Sequence, residues 1–296
     1  LQIDVRGPEL PAEQKALWEA MGLEPKPFQN VHYFLPRSNT PGEPNSFHPY
    51  SGIYKLYAYD LYGTAGKLDL LFSNVSDPSG TLEGILGEIK EILNNDEKEK
   101  ESMQSWEGLI NFMREVQTEK GRWRGLFASS SIGMFRRHVR RIVQSRQTGI
   151  FVNSRARNEH LLSSELMNIC GGHTYVIDIA KLADDEQTLV FGDILRTIYS
   201  VKAEDDEGRT INEPVPEKVI IFVDELNKYA PAGSDSPITQ QVLDVAERGR
   251  SLGVILISAQ QFMSAVHPRV TGNSATKIIG RTGSSEVNAP DYRFLD

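Results

Sequence analysis

The residues best suited to chemistry lie in the last eighty positions. Val219-Ile220-Ile221-Phe222-Val223 is a continuous apolar run that ends on Asp224-Glu225. Strands buried on both faces have this composition, and all-parallel sheets are built from them. Ligands of open α/β sheets sit beyond the carboxyl ends of the strands, so two acids at that point face a crevice. An Asp there can hold Mg²⁺, usually through water, because the ion takes oxygen ligands and keeps part of its hydration shell. A following Glu can orient or deprotonate an attacking water, the base function in phosphoryl transfer. The same pair also reads as an ordinary strand end with two solvated acids.

A second strand end follows. Val254-Ile255-Leu256-Ile257-Ser258-Ala259 leads into Gln260-Gln261, which puts amide side chains at the same rim. A glutamine there can sense a γ-phosphate or position water without adding charge; otherwise it is a polar loop residue. Between the two runs lies a helix ending Ala246-Glu247-Arg248-Gly249-Arg250-Ser251-Leu252-Gly253. Arginines at a helix C-terminus complement its dipole. Alternatively, Arg248 or Arg250 reaches phosphate oxygens, across a subunit boundary if not within the chain, where a guanidinium stabilises developing charge.

These residues need a parallel sheet to position them, and the second half of the sequence carries its signals. Ile150 to Val152 is a short apolar run, followed by a helical pattern over Glu159 to Cys170 that Gly171-Gly172 closes. Thr174 to Ala180 reads as a strand, Gln187 to Val201 as a helix, and Lys202 to Glu217 as a polar, acidic loop. A helix over Ile238 to Arg250, a strand over Gly253 to Ala259 and a last strand over Ala275 to Gly280 complete the series. Strands alternating with helices imply right-handed crossovers, hence an α/β fold with a mostly parallel sheet and helices on both faces. The first half is less regular. Leu1 to Val5 reads as a core strand, Gly7 to Ser51 as turn-rich sequence with one strand at Val31 to Leu35, and Asn74 to Glu119 as charged helix. The expected division is 1–59 for the start of the core and the turn-rich segment, 60–120 for a helical insertion, and 121–296 for the remaining core.

Composition narrows the function classes. Hydrophobic residues at 39% and charged residues at 24% exclude wholesale disorder. A net charge of −8 excludes a bulk polycation, so contact with nucleic acid would need a local patch. Cys170 is the only cysteine, which excludes an internal disulfide and a thiolate zinc cluster and fits a reducing, cytoplasmic setting. No apolar run approaches the roughly 18 residues of a membrane helix, so no membrane partner is expected. The histidines (His32, His48, His138, His160, His173 and His267) show no metal-ligand spacing, and Ser129-Ser130-Ser131 has no paired base in view. Asp178, just after Tyr175-Val176-Ile177, ends another strand and reads as a core-edge hydrogen-bonding residue or, alternatively, as one facing the nucleotide crevice.

One patch is basic. Arg136, Arg137, Arg140, Arg141 and Arg146 are five arginines within eleven residues. On a helix, Phe135, Val139, Ile142 and Val143 share one apolar stripe, while the first four arginines form adjacent i, i+4 rows on the other face. This reads either as a solvated face paired with the acidic insertion or as a contact for DNA phosphates or another subunit. Arginine forks onto phosphate and carboxylate alike. Arg122 and Arg124 flank Trp123 nearby.

From Val219 through Arg281 the sequence resembles the HerA branch of the HerA/FtsK superfamily of P-loop translocases. The matching elements are Asp224-Glu225-Leu226-Asn227-Lys228-Tyr229-Ala230-Pro231, Arg248-Gly249-Arg250-Ser251-Leu252-Gly253, Ser258-Ala259-Gln260-Gln261 and Lys277-Ile278-Ile279-Gly280-Arg281, in the family's order. Ile3-Asp4-Val5-Arg6-Gly7 resembles the strand that follows the phosphate-loop helix there. The resemblance implies a RecA-like P-loop core and an ATP-hydrolysing motor, usually a homo-hexameric ring that moves along DNA. Members act in DNA end processing or anti-phage defence, often beside a nuclease or other effector. It also implies roles: Asp224 as the Mg²⁺-linked Walker B acid, Glu225 as the base, Gln260 as the sensor, and Arg248 or Arg250 as the arginine at the nucleotide.

One expected element is missing. A loop of the form G-x-x-x-x-G-K-[ST] cradles phosphates with backbone N–H groups, its Lys on the β/γ oxygens and its hydroxyl on Mg²⁺. Gly63-Thr64-Ala65-Gly66-Lys67-Leu68 only looks like one: its glycines are too close together, Leu68 has no hydroxyl, and a turn is expected instead. Because Leu1 falls in the strand expected after the phosphate-loop helix, the loop is expected upstream. The chain as it stands should then bind ATP·Mg²⁺ poorly, and binding at micromolar affinity would contradict this. The rival reading is a P-loop-derived scaffold or assembly subunit that does not hydrolyse ATP, favoured if no such loop precedes Leu1.

Overall fold

The computed structural model describes residues 11–23, 28, 30–47, 52–77, 79–95, 97–118, 123, 125–145, 149–203, 209–281, 283, 286 and 292, with backbone alone at 97–99. The expected strand over Leu1 to Val5, the motif Ile3 to Gly7, and Arg122, Arg124 and Arg146 lie outside these residues.

Helix α1 (Ala12–Ala20) precedes strands β1 (Val31–Pro36) and β2 (Lys55–Tyr57). A helical block follows: α2 (Leu61–Thr64), a 3-10 segment (Ala65–Phe72), α3 (Thr81–Asn95), α4 (Glu97–Ser102), α5 (Trp106–Val116) and α6 (Ser129–Val143). The chain continues through β3 (Glu159–His160), α7 (Leu162–Leu166), β4 (Thr174–Ile177) and α8 (Asp184–Lys202). It then runs β5 (Val219–Asp224), α9 (Pro237–Leu252), β6 (Val254–Ala259) and α10 (Pro268–Asn273). The named strands all pair in parallel, as an α/β fold requires. One sheet has the order β3-β2-β1-β4, and β5 with β6 forms a second. Helix α8 packs on α7, on the 3-10 segment and on α9, and so ties the two sheets and the helical block into one core.

Local sequence explains the crossover that matters most. In α9 the Ser236 hydroxyl caps the Thr239 N–H and Pro237 occupies the first turn, where its missing N–H costs nothing. Ile238, Val242, Leu243 and Val245 form the buried face. Gly253 ends the helix at φ 71°, and a Cβ there would stand 2.2 Å from the Glu217 carbonyl oxygen. A Cβ on Gly249 would stand 2.7 Å from the Val254 carbonyl oxygen, so the helix can lie this close to β6 only with glycine at that position. The two glycines of the Arg248-to-Gly253 motif thus have packing reasons.

The helical block is held by large side chains. Trp106 is buried and its indole N–H donates to the Tyr59 carbonyl over 2.9 Å, which joins α5 to the first sheet. An aromatic of this size buries 150–250 Å², worth about 4–6 kcal/mol gross. Phe72 stacks on Phe135 at 4.6 Å, which seats α6 against the 3-10 segment. Because α6 also packs on α3 and α5, the helical block continues past residue 120 to Val143.

Several expectations are corrected. β5 and β6 are covered on one face only: Ile221 and Val254 are buried, whereas Ile220, Phe222, Ile255 and Ile257 are exposed. α9 covers one side, and no described element covers the other. Ala275 to Gly280 forms no strand and belongs to neither described sheet; it is exposed except for the half-buried Ile279. Glu159 to Cys170 is not one helix, because Glu159 and His160 pair with β2 and helix is confined to Leu162–Leu166. Gly63 to Leu68 is helical rather than a turn, started by Asp60, whose carboxylate accepts the Gly63 N–H over 2.8 Å.

Candidate functional site

β5 and β6 run in register from Val219 opposite Val254 to Asp224 opposite Ala259. The two strand ends therefore coincide, and Asp224, Glu225 and Gln260 share one rim. Glu225 stands in the left-handed region, φ 55° and ψ 52°. A side chain there costs about 1–2 kcal/mol, and such residues persist where the surroundings over-determine them. The Glu225 N–H donates to the Ala259 carbonyl over 2.8 Å and to Asp224 Oδ1 over 3.0 Å. This reversal turns the chain away from the strand just past the two acids.

The segment after the acids is fixed. Leu226, Tyr229 and Ala230 are buried, and Tyr229 packs on Phe191 of α8 at 4.3 Å. Thr239 Oγ1 donates to the Tyr229 carbonyl over 3.1 Å. Burial, then the carboxylates of Asp184 and Glu225, push the Tyr229 hydroxyl up to about 12, so it stays a neutral phenol. The loops after the two strands are stitched together by Ala232 N–H to Ala265 O (3.0 Å) and His267 N–H to Ala230 O (2.8 Å). Glu286, which sequence reasoning missed, accepts the Ser264 N–H and hydroxyl at 3.0 and 2.9 Å. Those bonds hold its carboxyl below the usual value.

Asp224 and Glu225 are both exposed. Among the described residues no cation pairs with either, and Asp224 Oδ1 is engaged by the Glu225 N–H while Oδ2 is open. Open carboxylate oxygens on a rigid backbone fit a hydrated Mg²⁺. Gln260 is half-buried and its Oε1 accepts the Ser258 hydroxyl over 3.2 Å. Two cavities lie elsewhere: about 270 Å³ between α8 and α9, lined by Arg196, Tyr199, Gln241 and Asp244, and about 210 Å³ between α5 and Phe151.

Arg248 and Arg250 are not brought to the acids of their own chain. α9 runs back along the sheet, and Gly253, just past it, accepts the Val219 N–H at 2.9 Å. Its last turn is therefore at the amino end of β5, and Asp224 is five residues along, roughly 16 Å at 3.3 Å per residue. Arg248 is exposed and its guanidinium faces the Tyr199 hydroxyl, which with Asp244 raises its already high pKa. Arg250 is exposed in the last turn.

On α6 the apolar stripe is as expected, with Phe135, Val139 and Ile142 buried, and Val143 half-buried. Arg137, Arg140 and Arg141 are exposed and Arg136 is half-buried. Arg141 pairs with Asp185 at the start of α8 over 3.0 Å, and Arg140 reaches Gln144 at 2.9 Å.

Other singled-out residues have structural work. Lys67 of the lookalike motif places Nζ 2.5 Å from Asp193 Oδ1 and donates to Ser163 at 2.7 Å. Asp178 accepts the Ser46 hydroxyl at 2.6 Å and the Ala180 N–H at 3.0 Å. His32 and His173 meet across β1 and β4, Nε2 to Nδ1 at 2.9 Å, with Tyr175 stacked on His32 at 4.9 Å. Among the described residues no group of three or more His, Cys, Asp or Glu is placed to hold a metal ion. None of the described helices is long and apolar enough to cross a membrane.

No protein-family model matches the chain, and no curated protein sequence matches it either. Among solved structures the chain is similar to the bacterial conjugative coupling protein TrwBdeltaN70 in its unbound monoclinic form, at 12% identity and a TM-score of 0.44. That similarity covers 82% of this chain and 56% of the other, so the chain spans little more than half the length of that protein.

Proposed function

We propose that this chain is the catalytic half of a RecA-like P-loop ATPase of HerA type, acting as a DNA-translocating motor in DNA processing or anti-phage defence. The observation that carries the reading is Glu225: an acidic residue held in left-handed backbone beside Asp224, at the carboxyl end of paired parallel strands. Mg·ATP would supply the electrophilic γ-phosphate. Asp224 would hold the ion through water, Glu225 would take the proton of the attacking water, and Gln260 would position that water. Since Arg248 and Arg250 lie at the far end of the strands, they would serve the acids of a neighbouring copy in a homo-hexameric ring. Arg136, Arg137, Arg140 and Arg141 would meet DNA phosphate or a neighbouring subunit, and a nuclease or other effector would complete the system in the cytoplasm.

One observation favours the scaffold reading instead: both acids are exposed. ATP turnover by the natural protein decides between the two. Glu225→Gln is expected to keep ATP binding and lose turnover by two orders of magnitude or more, in line with a general base worth about 10²–10⁴. Retained hydrolysis removes Glu225 from the base role, and no hydrolysis by the unaltered natural protein leaves the scaffold.

A further inference from the structure

The cavity between α5 and Phe151 adjoins the arginine face of α6. Arg136, Arg140 and Gln144 follow one another at four-residue spacing and so stand in one row down that helix. Gln144, at the end of the row, lines the cavity, and its Oε1 accepts the Arg140 Nε–H over 2.9 Å. The cavity wall is aromatic and fixed. Phe151 meets the buried Trp106 edge to face at 5.2 Å, and Trp106 is tied to the Tyr59 carbonyl. The chain on either side of Phe151 is pinned too: the Tyr59 N–H donates to the Ile150 carbonyl over 2.7 Å, and the Val152 N–H to the Tyr59 carbonyl over 3.1 Å. The rim is polar. Glu107, Gln144 and Asn153 are exposed there, and among the described residues Glu107 and Asn153 have no hydrogen-bond or ion-pair partner.

Arginines hold phosphate, and phosphate contacts position a strand without reading it. The carboxylate of Glu107 repels phosphate, so the part of a nucleotide that suits the cavity is its neutral base. An aromatic wall takes the π-face of a base, while amides and a carboxylate pair with the donors and acceptors on its edge. At about 210 Å³ the space falls below the roughly 300–1,000 Å³ of drug-sized sites, which leaves room for one flat ring system. Bases in a duplex are stacked and paired, so only an unpaired base can enter. We propose that this cavity receives an unpaired base of a DNA strand whose phosphates run along Arg136 and Arg140. Such binding presupposes the DNA contact proposed for α6 and adds to it a preference for single strands. Glu107 accepts hydrogen bonds and cannot donate them, so cytosine, with its amino group, is favoured over thymine, which presents a carbonyl there.

The test is fluorescence anisotropy on the full chain, at one salt concentration, with oligo(dC), oligo(dT) and a duplex of the same length. Oligo(dC) is expected to bind several-fold tighter than oligo(dT), and Glu107→Gln to narrow that gap. Asn153→Trp fills the cavity and is expected to weaken oligo(dC) binding about tenfold, the worth of one stacked base, with duplex binding unchanged. Both positions are exposed, so circular dichroism should not change. Oligo(dC) carrying 5-iodocytosine is expected to photocrosslink to Phe151. Equal affinity of the unaltered chain and Asn153→Trp for oligo(dC), or crosslinks confined to other segments, overturns the proposal and leaves the arginine face to its own salt-dependence test. Binding to none of the three overturns the base site and the DNA contact together, while ATP turnover still decides the catalytic reading.

Discussion

The N–H of Glu225 donates to the carbonyl of Ala259 over 2.8 Å, tying the acidic end of β5 to the last residue of β6. Glu225 itself adopts the left-handed conformation. Glycine enters that region freely, so Glu225→Gly relieves the cost of about 1–2 kcal/mol carried by a side chain, offset in part by glycine's greater freedom when unfolded. The expected result is a stability gain of up to about 1 kcal/mol by urea unfolding, with Glu225→Gln within about 0.5 kcal/mol of the unaltered chain. Glu225→Gly unfolding at lower urea would show that the side chain does structural work, and would count against strain kept for function.

Lys67 and Asp193 form a pair in which the carboxylate has no solvent exposure and also accepts the Tyr59 hydroxyl at 2.8 Å. Removing one partner of such a pair strands a buried charge. Lys67→Met is expected to cost about 3–5 kcal/mol, and adding Asp193→Asn should recover part of it. A cost below about 1 kcal/mol, read from urea midpoints, would mean the pair is solvated and Lys67 is free for other work.

The His32 imidazole titrates below its ordinary value because burial, then His173 and Lys55, disfavour its cation, opposed by Glu165. The unfolded chain therefore binds more protons just below its ordinary pKa, so stability is present above about pH 6.5 and is lost as pH falls from there through the lowered folded-state value. Urea midpoints at pH 8 and pH 5.5 should differ more for the unaltered chain than for His32→Phe, which keeps the stack on Tyr175. Equal differences would show that His32 is not the titrating group.

What could be read in the sequence was local. The apolar runs of β5 and β6, Ser236-Pro237 before α9, and Gly253 after it follow from periodicity and capping chemistry that neighbouring residues decide. What could not be read was the joining of distant residues. Lys67 looked like part of a phosphate loop because its partner is 126 positions away, and His32 meets a histidine 141 positions away. The apolar run of β5 suggested burial on both faces, since composition records what a strand can bury and not which element arrives to cover it. Ala275 to Gly280 has strand composition, but a strand exists only when paired, and the segment joins neither described sheet. Glu225 gave no signal of its left-handed backbone, because glutamate has no preference for that region.

The arginines of α6 divide by partner, and this makes the nucleic-acid expectation testable. Arg141 already pairs with Asp185, an exposed ion pair worth roughly 0.2–1 kcal/mol, and its replacement should affect binding least. Arg137 and Arg140 are exposed with no carboxylate paired among the described residues, and Arg136 lies beside them. Each phosphate neutralised on duplex DNA contributes about −0.9 to the slope of log affinity against log salt. If Arg136 and Arg140 both meet phosphate, Arg136→Glu with Arg140→Glu should flatten that slope by about 2, and Arg141→Glu should flatten it less. Fluorescence anisotropy across a salt series measures both. Equal slopes in all three proteins would assign the arginine face to solvent or to a protein partner, because a phosphate contact cannot be removed without releasing its share of the salt dependence.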